Sequence, residues 1–201
     1  MINKKELIDP ETVEFFIPFS NNALQFITIK GWDGQALKLN IDFFRQFLEN
    51  YMRITVSENI RRDKKAMKKI LDWGVMLKKF TDFGIIYIIY ENYKGGYVYI
   101  GQKGSVQELE NLDFKKDGWN KLEEILIFSK KDQLRLSLRT AIEAKILKEV
   151  MNNEKFRLLN NKRESEEKIK LSEFQLEDLD VKLYYNKIKL ILTCLGISLL
   201  K

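Results

Sequence analysis

The sequence predicts an α/β protein of the α+β kind: a small antiparallel sheet of three or four strands flanked by helices, preceded by an α+β segment. Three observations predict it. First, Gly84 to Tyr90 is a β-branched and aromatic run, and Glu91-Asn92-Tyr93-Lys94-Gly95-Gly96 separates it from a second such run, Tyr97 to Gly101. That is the pattern of a β-hairpin. Second, Glu124 to Ser129 reads as a strand, and Leu134 to Val150 has helical spacing with Leu138, Ile142, Ile146, Leu147 and Val150 inward. Third, Leu176 to Leu195 is apolar at Leu179, Leu183, Tyr184, Ile188, Ile191, Leu192 and Leu195, with Gly196 placed to stop a helix.

The elements ahead of the hairpin follow from the same rules. Thr12 to Ile17 and Leu24 to Lys30 read as strands; Gly31-Trp32-Asp33-Gly34 is a turn signal, and Ala36 to Leu39 is its hairpin partner. Ile41 to Met52 shows helical spacing, and Ser57 or Asn59 caps a longer helix reaching Lys79. Its basic side carries Arg61, Arg62, Lys64, Lys65, Lys68, Lys69, Lys78 and Lys79, a phosphate-contacting surface or a solvated face. Ser105 to Asp113 reads as a short helix, and Trp119 as a core anchor. The organisation expected is residues 1–80 as an amino-terminal segment, 81–165 as the central domain and 166–201 as a helical extension packing on it.

Composition excludes several chemistries. The chain has 201 residues, 35 basic against 29 acidic for a net charge of +6, one cysteine and no histidine. Without histidine there are no His-ligated zinc sites, no Ser-His or Cys-His pairs and no imidazole base. Catalysis would rest on carboxylates, tyrosines, lysines or arginines with an oxygen-bound metal. The lone Cys194 lies in an apolar helical pattern and is expected to pack as a small hydrophobe. Ile188 to Leu200 is too short and too interrupted to span a bilayer, so a soluble, cytoplasmic protein is expected.

The order of these parts resembles the GIY-YIG nuclease family: a hairpin bearing Gly84-Ile85 and Tyr99-Ile100-Gly101, a short helix, a third strand, then a helix carrying Glu143. The resemblance is closest to a bacterial branch with a C-terminal helical extension. It rests there on Trp119-Asn120, on Ile125-Leu126-Ile127-Phe128-Ser129-Lys130-Lys131-Asp132, and on the closing Lys187-Ile188-Lys189-Leu190-Ile191-Leu192 with Leu195-Gly196. It covers about residues 83–200; residues 1–80 resemble nothing named.

What the resemblance implies is metal-dependent DNA cleavage, with Mg²⁺ or Mn²⁺ on one glutamate, hairpin tyrosines handling the attacking water, and an arginine on the scissile phosphate. Carried over, Tyr99 and Gly101 match the second tripeptide, Glu143 the metal ligand and Asn160 the later asparagine. In the first tripeptide the tyrosine position holds Ile86, and Tyr87 matches in a register slipped by one. The family arginine is missing: Ser105 to Asp113 contains no Arg or Lys but has Glu108, Glu110 and Asp113. Lys103, Arg135 or Arg139 could supply that cation from elsewhere. On helix geometry alone, Glu143 could equally pair with Arg139 one turn earlier. Arg61, Arg62, Lys65, Lys68, Lys69 and Lys103 are the candidate nucleic-acid contacts.

These residues support three expectations. One is a catalytically degenerate, nucleic-acid-associated nuclease fold. The second is an active endonuclease with a relocated cation. The third is a protein–protein inhibitor or subunit of a phage-related or defence system, recognising its partner through residues 1–80.

Overall fold

Clean alternation of side chains along the strands sorts the core onto two sheet faces. In the computed structural model, which describes residues 13–16, 24–45, 84–92, 94–112, 118–130 and 134–200, these strands join in one sheet. They are β1 (Val13–Phe16), β2 (Leu24–Ile29), β3 (Gly34–Asn40), β4 (Ile85–Asn92), β5 (Gly95–Lys103), β6 (Glu124–Lys130) and β7 (Phe156–Leu158). Their order is β1-β2-β3-β6-β4-β5-β7. Every pairing is antiparallel except β5 with β7. The α+β class is therefore that of the structure.

Ile86, Ile88 and Tyr90 of β4, Val98 and Ile100 of β5, and Leu126 and Phe128 of β6 line one face. Helices α1 (Leu136–Met151) and α3 (Leu179–Cys194) cover it. Ile85, Tyr87, Ile89, Ile125 and Ile127 line the other face with Ile41, Phe44, Val106, Leu109, Trp119 and Leu122. Both faces of the central strands are buried, which is why β4 and β6 read as continuous apolar runs rather than as alternating ones.

Several expectations need correction. Among the described residues the sheet has seven strands rather than three or four, because β3 pairs with β6 along its whole length, Gly34 with Lys130 through Asn40 with Glu124. The amino-terminal strands thus extend the hairpin's own sheet instead of packing beside it. Strand β7 and helix α2 (Lys162–Leu171) were not expected; α2 runs across the boundary drawn between residues 165 and 166. Leu179 and Leu183 point outward, 68% and 52% exposed. The inward stripe of α3 is instead Val181, Tyr184, Tyr185, Ile188, Ile191 and Leu192, a tighter helical spacing. Cys194 is exposed rather than packed. Tyr90, at the end of the first hairpin run, is a core residue whose hydroxyl donates to Glu124.

Other expectations are met. Gly196, at φ 73°, ends α3 in a left-handed conformation, with the Ile197 N–H donating 2.8 Å to the Leu192 carbonyl. Residues 41–45 are helical, with the Asn40 side chain accepting from the Asp42 and Phe43 N–H groups. The expected helix from Ser57 or Asn59 to Lys79, with Arg61, Arg62, Lys65, Lys68 and Lys69, lies outside the described residues. Among the described residues no helix is long and apolar enough to cross a membrane.

Candidate functional site

The hairpin register brings Tyr87 and Tyr99 to one face. Tyr87 pairs directly opposite Gly101, and Ile89 opposite Tyr99, so Tyr87, Tyr99 and Gly101 share one sheet face while Ile86 lies on the other. The slipped register is the one that brings two phenols together. Their ring centroids are 6.0 Å apart, and the Tyr87 hydroxyl donates to that of Tyr99. Gly101 gives Tyr87 its place: a Cβ there would collide with the Tyr87 ring and hydroxyl. The Trp119 ring lies 4.5 Å from that of Tyr99, anchoring the short helix Trp119–Lys121 against β5.

Glu143 is the candidate acid. It is only 2% exposed, although it sits on a helix whose other buried neighbours are Ile142, Ala144 and Ile146. Its carboxylate exerts a coulombic influence on both phenols, although α1 packs on the sheet face opposite the Tyr87 ring. Its ion-pair partner comes from α2: the Lys168 ammonium donates to Oε1 at 2.7 Å. The other oxygen, Oε2, is buried without a hydrogen-bond partner.

Burial shifts each of these groups in a definite direction. It pushes Tyr87 far above the ordinary phenol range, helped by Tyr99 and by Glu143. Tyr99 also moves up, mainly by burial, with the hydrogen bond from Tyr87 opposing and Glu143 and Glu164 adding to the rise. Both phenols therefore stay protonated at neutral pH and can donate hydrogen bonds but not act as phenolate bases. Burial raises Glu143 as well, against the lowering influence of Lys168.

Asn160 binds the backbone next to Tyr99 through both ends of its amide. It accepts from the Ile100 N–H at 3.0 Å and donates to the Ile100 carbonyl at 2.7 Å. Parallel pairing of β7 with β5 ends at Val98 opposite Leu158, and the Leu159 N–H still donates to the Val98 carbonyl. The Asn160 side chain thus continues the ladder by one more step, which is a structural task. Arg139 does not pair with Glu143. Its guanidinium lies against Gly84 and the Leu134 carbonyl, where a Cβ on residue 84 would strike it. Lys103 shares the Tyr99 and Gly101 face by strand alternation and is partly exposed.

The residues that the resemblance assigns to a divalent ion fit it poorly. One carboxylate oxygen already holds an ammonium, whose charge repels a dication, while Mg²⁺ demands a near-octahedral shell of oxygens. Among the described residues no three carboxylates or cysteines gather as a ligand set. The short helix after β5, Gln107–Asn111, carries no basic residue. Lys168 is the functional neighbour that sequence reasoning missed. Its signal was Asn161-Lys162-Arg163-Glu164, a helix start in which the Asn161 side chain accepts from the Glu164 N–H.

No protein-family model, characterised protein or solved structure gives a significant match to this chain.

Proposed function

We propose that this chain is a GIY-YIG-type nuclease-fold protein that associates with nucleic acid and does not cleave it efficiently. The observation that carries the reading is the Glu143–Lys168 pair. The acid that the resemblance casts as metal ligand is buried, and its charge is met by an ammonium of the same chain. The element order supports the kinship: hairpin, short helix, strand, then the helix bearing the glutamate. Loss of efficient chemistry follows from three features of these residues. The phenols stay protonated, the carboxylate is occupied, and the short helix after β5 offers acid where a phosphate needs a cation.

Lys103 favours a second reading, an active endonuclease whose phosphate-binding cation has moved. It lies on the strand face of Tyr99, two residues beyond Gly101. Incubation of supercoiled plasmid with the protein and Mg²⁺ or Mn²⁺ separates the two. The proposal expects retarded DNA at low salt with no nicking above background. Nicking that disappears in Glu143→Ala would establish the second reading instead.

A further inference from the structure

Two cations converge on one tyrosine at the end of β5 away from Lys103. The Lys121 Nζ lies 4.8 Å from the centre of the Tyr97 ring, and the Arg157 guanidinium carbon 5.4 Å from it. The Arg157 guanidinium also donates to the Tyr97 hydroxyl at 3.0 Å. Neither cation forms an ion pair with any described carboxylate, although ion pairs hold Lys38, Lys130, Lys168 and Lys182 elsewhere. Two like charges brought to one ring repel each other, and the ring quadrupole relieves only part of that cost.

Their placement is fixed by the fold. Lys121 ends the short helix that Trp119 anchors on Tyr99, and Gly118, at φ 81°, lets that helix start against Tyr97 and Leu159. Arg157 lies on β7, opposite Tyr97 in the parallel ladder. Beside them opens a cavity of about 410 Å³ lined by Gly96, Tyr97, Glu154, Lys155, Phe156 and Arg157. Tyr97, Tyr99, Gly101 and Lys103 follow one another along a single strand face, so the cation pair lies to one side of Tyr99 and Lys103 to the other.

We infer that Tyr97, Lys121 and Arg157 form a binding site for the phosphodiester backbone of a nucleic acid laid along β5. The assignment rests on the nucleic-acid reading above and adds where the strand is held. An aromatic carrying unpaired cations is the surface that tracks such a backbone, and a phosphate would neutralise the charges that the protein leaves unmatched.

The test is fluorescence anisotropy of a short labelled DNA duplex against salt, comparing wild type with Lys121→Gln/Arg157→Gln. Lys145→Gln is the control, since it removes a comparable cation that α1 holds over the Tyr185 ring of α3. The slope of log Kd against log salt should fall by about 0.9 for each phosphate contact removed, so by about 1.8 for the pair. The control should keep the wild-type slope, and all three proteins should share one melting temperature. A double variant with the wild-type slope, or a control that loses as much, overturns the assignment and leaves the nucleic-acid reading standing. Wild type that binds no DNA at low salt overturns both.

Discussion

Asn160 shows how one side chain can look catalytic in sequence and be structural in space. A buried backbone N–H and C=O on Ile100 have no strand partner beyond β7, and the Asn160 amide satisfies both. Asn160→Ala should therefore destabilise the protein by about 1–3 kcal/mol, the cost of orphaning buried polar groups. Urea unfolding measures it, and an unchanged midpoint would refute this role. Tyr87 teaches the converse lesson. Sequence alone left two registers open, because a slip of one residue exchanges sheet faces. The pairing of Tyr87 with Gly101 selects one register, for the steric reason that only glycine leaves room beneath the ring.

At the scale of elements, α2 supplies the charge that meets Glu143. It carries Lys168 to that carboxylate, and its Glu164 adds to the upward shift of Tyr99. Helix α2 was illegible because helix reading leans on an apolar stripe, and Lys162–Leu171 offers chiefly charges, with Ile169 partly buried and Leu171 exposed. The strands were legible because their burial is written in side-chain type. The buried acid gives a pH signature. Burial raises Glu143 above 4.5, so the folded state binds its proton more tightly than the unfolded chain does. Stability contributed by this group is present below the unfolded value and is lost as pH rises through the folded one. Relative to Glu143→Gln, wild type should lose stability with rising pH over that window, by at most about 1.4 kcal/mol per pH unit. Thermal unfolding across the acidic range checks this; a difference that is flat, or that grows in favour of wild type, would contradict it.

Across the whole molecule, one sheet links the amino-terminal strands to the hairpin. One core face runs from Ile27 on β2 to Leu200 near the carboxyl end. The amino-terminal strands join the hairpin's sheet through β3 and β6, a pairing not legible in the sequence because strand pairing is non-local. Nothing in Gly34–Asn40 announces that its partner is Glu124–Lys130, far along the chain. The same long-range assembly brings the hairpin, α1 and α2 together around Glu143, and the account turns on what that carboxylate holds.

Manganese binding followed by electron paramagnetic resonance tests this most directly. Wild type should show no saturable Mn²⁺ site, Lys168→Ala should gain one, and Glu143→Gln in that background should abolish it. Saturable binding by wild type that Glu143→Gln removes would contradict the account.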